Sequence, residues 1–189
     1  MILERAMNFG TDCVKGVSSR HTRRSPPGSR RAGSPHFAVT RALVGSLAVL
    51  ILAFTGCAPL LTTPPGFVEV EGEPYDYRAA SADGLVISVR EIDHEPKGDL
   101  AFWVRAMENE LRLGRGYALL ATSDVKTAKG LSGKQLRFGH DEGSSPHLYW
   151  VAVFVTQSTL YVIEAGGTKE LVEKNQDLLD EAMESLDAS

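Results

Sequence analysis

The sequence predicts an α+β fold in which helices pack on an antiparallel sheet. Most runs between residues 67 and 165 alternate apolar and polar side chains, as strands do. Two of these runs are separated only by Gln157-Ser158, which indicates a hairpin. Two further stretches have the apolar spacing of amphipathic helices, one in the middle of the domain and one at its end. Strands and helices in this order are typical of an α+β domain.

The first predicted strands are short and separated by turn residues. Residues 67–70 suggest one strand, and residues 75–77 open another after Gly72 and Pro74. The run LVISVREI, residues 85–92, predicts a third strand with one apolar and one solvent-exposed face. The apolar face carries Leu85, Ile87 and Val89, and the predicted exposed face carries Ser88 and Arg90.

The middle helix has a clear predicted start and end. Asp99 is a suitable N-cap, and Gly114 is a plausible end. The apolar positions follow helical spacing and predict packing against the sheet: Leu100, Trp103, Val104, Met107 and Leu111.

Four more strands are predicted between the two helices, at residues 116–122, 131–138, 147–156 and 159–165. The run HLYWVAVFVT, residues 147–156, is apolar on both faces, so we expect a central strand that is covered on both sides. Gly166-Gly167 is expected to end the last strand. Thr168 would then cap a helix that runs to about Asp187, with Leu171, Leu179, Ala182, Met183 and Leu186 on its apolar side.

This order of elements, with its ending of long strand, hairpin and helix, resembles PsbP-like domains over about residues 75–186. That group includes small bacterial envelope lipoproteins that resemble DcrB. The resemblance implies an α/β/α sandwich, with the antiparallel sheet between helical layers. It implies no activity, because one fold hosts many functions.

The charge distribution separates the chain into a basic leader and an acidic domain. Residues 1–56 carry a net charge of +6 and residues 57–189 carry −10. An acidic domain argues against a nucleic-acid partner, which requires clustered Lys and Arg. Leu43–Thr55 is an uncharged run of the length of a signal-peptide core, and is short for a membrane span. A retained anchor over Ala42–Leu61 is the alternative, although Pro59 would fall within its last turn.

The sequence Ala53-Phe54-Thr55-Gly56-Cys57 resembles the lipobox of bacterial lipoproteins, although Phe54 replaces the usual Leu. The resemblance implies that the thiol of Cys57 receives a diacylglycerol and that a signal peptidase cuts before this residue. Ala58 after the cysteine implies the outer membrane in a cell that has one. The predicted organisation is therefore a removed leader and signal peptide at 1–56, a lipidated cysteine with a Pro-rich tether at 57–73, and one domain at 74–189.

Candidate sites for chemistry are few. His140 and His147 lie in the run GHDEGSSPH and are candidate zinc ligands, although solvent-exposed charges in a hairpin loop are the simpler interpretation. His94 lies between two carboxylates in a predicted turn. Trp103 and Trp150 are candidates for an apolar binding pocket, with core packing as the preferred alternative. No nucleophile motif or phosphate-binding loop is present.

These observations predict a lipid-anchored cell-envelope protein that binds or assembles with a partner, without catalysis and without a cofactor. The expected partners are the membrane, through the lipid, and an envelope protein. The alternatives are a metal-dependent envelope enzyme that uses His140 and His147, and a carrier of a small ligand near Trp103 or Trp150.

Overall fold

The computed structural model describes residues 60–188, apart from the side chain of Glu142. Its centre is a seven-stranded antiparallel sheet with the strand order β1-β2-β3-β7-β6-β5-β4. This sheet and its helices confirm the predicted α+β class. The strands are β1 (Phe67–Glu69), β2 (Tyr77–Ser81), β3 (Val86–Asp93), β4 (Ala118–Lys126), β5 (Ser132–Glu142), β6 (Ser145–Val155) and β7 (Thr159–Thr168).

The helices agree with the predicted positions but differ at their ends. They are α1 (Leu100–Asn109), which continues into a π-helical turn (Glu110–Gly114), α2 (Lys169–Lys174) and α3 (Gln176–Glu184). The Asp99 carboxylate caps α1 as predicted, accepting a hydrogen bond from the Phe102 N–H at 2.7 Å. The predicted last helix is interrupted at Asn175, whose backbone leaves the helical region and whose side chain donates to the Leu171 carbonyl at 2.8 Å.

The helices pack on the sheet and do not contact the same set of strands. Helix α1 contacts β5 and β6, and its buried side chains are Trp103 and Met107, followed by Leu111 in the π turn. The main apolar core lies under α2 and α3, where Val172, Leu179, Ala182, Met183 and Leu186 pack with alternate residues of β2, β3, β6 and β7. Strand β6 is buried from Tyr149 to Phe154, which confirms the prediction of a central strand covered on both sides.

One face of β3 was predicted wrongly. Ser88 is fully buried and Arg90 is only 2% exposed, although both were expected to face solvent. The reason is tertiary, because β3 lies inside the sheet between β2 and β7. Ser88 lies directly opposite Glu164 of β7 in the strand register. The Arg90 side chain forms an ion pair with the Glu164 carboxylate, so its charge is compensated within the domain.

Strand β7 also continues beyond its predicted end, through Gly166-Gly167 to Thr168. Gly166 faces Tyr149 of β6, and a Cβ at this position would lie 3.2 Å from the Leu148 carbonyl oxygen. The glycine therefore allows close strand packing and does not end the strand. Thr168 makes no side-chain hydrogen bond to the following helix.

The chain is packed onto the domain from the first described residue. The Leu60 carbonyl accepts a hydrogen bond from the Asp187 N–H at 3.0 Å, and the Thr62 N–H donates to Ser185 Oγ at 2.9 Å. Leu61 is fully buried in the core cluster. This part of the segment expected to be a tether is held against the end of α3, because an adjacent Leu60-Leu61 pair supplies apolar surface that the core can bury.

Candidate functional site

The most unusual chemical feature of the domain is an ionic cluster buried in the sheet. Arg90 of β3 donates through Nη2 to the carboxylate oxygen Oε1 of Glu164 on β7. The Tyr149 hydroxyl of β6 donates to the same oxygen at 2.7 Å. All three side chains are almost entirely excluded from solvent. We call Arg90, Tyr149 and Glu164 the buried cluster.

Burial dominates the electrostatics of this cluster. It raises the pKa of Glu164 above its usual range, against the opposing effects of Arg90 and the Tyr149 hydroxyl. It also raises the pKa of Tyr149 well above its usual range, and the neighbouring Glu164 carboxylate raises it further. Among the described residues, Ser88 Oγ, Trp103 Nε1 and Glu164 Oε2 are buried without a hydrogen-bond partner, so the interior here is polar but incompletely satisfied.

The raised pKa of Glu164 predicts a pH dependence of stability. A carboxyl group with a raised folded-state pKa contributes stability that is complete below its unfolded pKa, 4.5, and is lost as the pH rises through the folded value. We expect the unfolding free energy of the wild type, relative to Arg90→Met/Tyr149→Phe/Glu164→Leu, to fall as the pH is raised from about 4 to about 8. Urea unfolding of both proteins across this range measures the difference. A constant or rising difference would contradict the prediction.

A line of stacked rings leads from the buried cluster toward the β5–β6 hairpin. Tyr149 meets Tyr117 edge to face, with ring centroids 5.6 Å apart. Tyr117 stacks on His140 at 4.3 Å with the planes 6° apart, and His140 lies 5.5 Å from His147. We call Tyr117, His140 and His147 the distal stack. Its side chains are half-buried and reach the surface beside the hairpin turn.

The structure therefore brings together the two predicted zinc ligands. His140 and His147 face each other directly across β5 and β6, because both strands extend through the run predicted to be a loop. The Nδ1 atom of His147 lies 3.0 Å from the Ser145 carbonyl oxygen, to which an Nδ1–H would donate. In the part of the chain that the structure describes, no group of three or more His, Cys, Asp or Glu side chains is placed to hold a metal ion.

The two tryptophans do not share a pocket. Trp103 projects from α1, with Phe102 5.2 Å away and His94 6.1 Å away. Trp150 belongs to the core on the side of α2 and α3, where the Arg137 guanidinium lies 3.9 Å from its ring centroid. Both rings are buried. Trp150 belongs to the main core cluster and Trp103 does not, so each takes part in packing with its own neighbours.

His94 is buried, although it was predicted to lie in a polar turn. Its Nδ1 atom is 2.9 Å from the Thr156 carbonyl oxygen, and its Nε2 atom accepts a hydrogen bond from the Gly98 N–H at 3.0 Å. Nδ1 therefore joins the β3–α1 connection to the residue after β6, and Nε2 holds the connection itself together. This arrangement explains the position of His94 without a catalytic role.

Sequence reasoning missed a polar groove between β4, β5 and α3. It has a volume of about 200 Å³ and is lined by Ser123, Asp124, Val125, Gln135, Arg137, Phe154, Asp180, Met183 and Glu184. At its centre Arg137 Nη2 donates to both carboxylate oxygens of Asp180, at 3.0 and 2.8 Å, while Gln135 donates to one of them at 2.9 Å. The hydrogen-bonding groups of Gln135, Arg137 and Asp180 are therefore paired with one another, and these contacts hold α3 on the sheet.

Sequence reasoning also missed the buried cluster, although the sequence contains a pattern that indicates it. Glu164 is the only charged residue in the apolar run TLYVIEA, and Arg90 precedes the charged end of a similar run. Isolated opposite charges in two apolar strands indicate a buried pair when those strands are neighbours. The neighbour relation itself, β3 beside β7, joins residues 74 positions apart and has no local signal.

Comparisons with known proteins show structures with a similar fold but assign the chain to no family. No protein-family model matches the chain, and no curated protein matches it in sequence. LpqN, involved in cell envelope biogenesis of Mycobacterium tuberculosis, has a similar structure with a TM-score of 0.52 and 14% identity, covering 65% of this chain and 78% of LpqN. CyanoP, the cyanobacterial PsbP of Synechocystis, has a TM-score of 0.49 and 12% identity, covering 67% of this chain and 84% of CyanoP. At these identities the similarity concerns the fold alone.

Cys57 lies outside the described residues, as does the whole of the predicted leader and signal peptide. Within residues 60–188, no helix has both the length and the apolar character needed to cross a bilayer.

Proposed function

We propose that this protein is a lipid-anchored component of the bacterial cell envelope that binds or assembles with another envelope component and performs no chemistry itself. The anchor is a lipid on Cys57, and residues 1–56 are removed. The mature domain is then an α/β/α sandwich of the PsbP-like type, held at the outer membrane where the cell has one. LpqN, which has a similar fold, is itself involved in cell envelope biogenesis, and this agrees with the proposal.

The observation that carries the proposal is that residues very close to Cys57 are fastened to the folded domain. Leu60 and Leu61 are already fastened to the end of α3, only three residues after Cys57. Cleavage before Cys57 would therefore release a domain whose first residues are in place. A lipid is the appropriate anchor for such a domain, since two or more acyl chains are needed for stable membrane attachment.

The interior of the domain favours binding over catalysis. The buried cluster is closed to solvent, and the groove beside α3 is occupied by mutually paired side chains. The surface offers features that a partner can use: Leu113 is 82% exposed and Leu120 is 60% exposed. Leu120 belongs to β4, the last strand of the sheet, and such an edge can accept an added strand from a partner.

Replacing Cys57 tests the anchor directly. We expect Cys57→Ser to abolish incorporation of a radiolabelled or alkyne-tagged fatty acid and to leave unprocessed precursor in the cell, because serine has no thiol to receive the diacylglycerol. Cys13→Ser is the matched control and should leave labelling and processing unchanged. Fatty-acid labelling that persists in Cys57→Ser, or is lost only in Cys13→Ser, would overturn the proposed anchor.

A further inference from the structure

The contacts at the start of the domain determine which end of it can face a membrane. Leu60 is hydrogen-bonded to Asp187, and Asp187 in turn is ion-paired with Lys129 in the turn between β4 and β5. The Ala128 N–H of the same turn donates to the Glu184 carbonyl at 2.7 Å. The chain entry, the β4–β5 turn and the end of α3 thus form one connected surface, which we call the entry end: Leu60, Ala128–Gly130 and Ser185–Asp187.

The length of chain between Cys57 and the entry end is very short. Three residues can span at most about 11 Å, even when fully extended. Leu61 is buried and Thr62 is hydrogen-bonded to Ser185, so the fastened part of the chain cannot supply additional length without breaking these contacts. A lipid on Cys57 would consequently hold the entry end close to the headgroups.

We infer that the entry end of the domain rests on the surface of the lipid bilayer and that the β5–β6 hairpin points away from it. This inference rests on the proposed lipidation of Cys57. The tip of the entry end suits such a contact, since Ala128, Lys129 and Gly130 are exposed and small or basic. Lys126 is exposed next to them and places a positive charge near anionic headgroups.

The opposite end of the sheet becomes the end available to partners. Strand β5 runs from Ser132, beside the β4–β5 turn, to Glu142, at the hairpin turn. Its eleven residues span about 33 Å at the rise of an extended strand. The distal stack lies at that far end, because His140 and His147 are paired next to the hairpin turn. An envelope partner would therefore meet this end, while the bilayer covers the entry end.

Fluorescent labels at the two ends test this orientation. The mature lipidated protein would carry either Ala128→Cys or Ser144→Cys, both at exposed turn positions, and each thiol would be labelled with the same dye. The proteins would be reconstituted into phosphatidylethanolamine–phosphatidylglycerol vesicles that contain a headgroup-linked nitroxide quencher. We expect loss of fluorescence at Ala128→Cys and none at Ser144→Cys, with equal fluorescence for both in detergent. Equal quenching at both positions, or stronger quenching at Ser144→Cys, would overturn the orientation.

An insertion between Cys57 and the domain tests whether the short connection is the reason for the quenching at Ala128→Cys. Inserting 20 Gly/Ser residues after Ala58 adds a flexible chain with a typical end-to-end distance of about 25 Å. Quenching at Ala128→Cys should then fall, and undiminished quenching would contradict the role assigned to the short connection. Failure of the anchor is a separate result, because protein without acyl chains would not float with the vesicles. Protein that floats but shows the wrong quenching pattern contradicts only the orientation.

Discussion

Arg90→Met is expected to lower the free energy of unfolding at pH 8 by about 3–5 kcal/mol, the usual cost of breaking a buried ion pair on one side. The substitution keeps a long apolar side chain in the sheet but leaves the Glu164 carboxylate buried without its nearest counter-charge. The Tyr149 hydroxyl would still donate to that carboxylate, so the loss would reflect mainly the uncompensated charge of Glu164. Urea denaturation of the purified protein measures the change.

Removing the whole cluster is expected to cost far less than breaking it. In Arg90→Met/Tyr149→Phe/Glu164→Leu none of the three polar groups of the cluster remains, and such apolar replacements are often neutral or stabilising. Arg112→Met is the matched control, because Arg112 pairs with Glu108 at the surface, where such a pair contributes less than about 1 kcal/mol. A cost of Arg90→Met no larger than that of Arg112→Met would mean that the ion pair of Arg90 and Glu164 is not buried as described.

Leu61→Ala is expected to lower the free energy of unfolding by about 2–5 kcal/mol, as for other buried leucines truncated to alanine. Leu61 is fully buried in the core cluster that α3 forms with the sheet, so its truncation leaves a cavity in that cluster. This outcome would be unexpected for a residue in a free tether, whose truncation costs nothing.

Thr62→Ala provides the control for Leu61→Ala. Its side chain is exposed, and the hydrogen bond to Ser185 comes from its backbone N–H, which the substitution retains. We expect a change within about 0.5 kcal/mol, as for surface positions generally. Equal effects of the two substitutions would mean that the chain before Thr63 is not part of the fold, and the inferred orientation on the membrane would lose its basis.

Local patterns predicted most of the fold. The Asp99 cap, the helical stripe of α1 and the two-sided burial of β6 agree with the structure because each depends on neighbours in sequence. The hairpin at Gln157-Ser158 agrees for the same reason. The errors lie where distant segments meet: Arg90 was assigned to solvent because nothing near it in sequence indicates that Glu164 lies opposite.

The candidate sites divide in the same way. The residue types of His140 and His147 suggested a shared site, but only the register of β5 and β6 places them face to face. Trp103 and Trp150 are both pocket candidates by residue type, but Trp150 belongs to the main core cluster while Trp103 packs beside Phe102 and His94. The sequence of a strand shows which of its residues share a face. It does not show what lies against that face, because the order of the strands in the sheet determines this.

By itself the sequence determined the α+β class, the order of the elements, the division into a basic leader and an acidic domain, and the expectation of a lipid at Cys57. These follow from periodicity, composition and a short motif, which are all local properties. The tertiary structure alone decided that Arg90 and Glu164 are buried together, that the distal stack forms, and that the chain is fastened from Leu60 onward. Each of these depends on contacts between segments far apart in the chain, whose partners are selected by sheet order and by the burial of apolar surface.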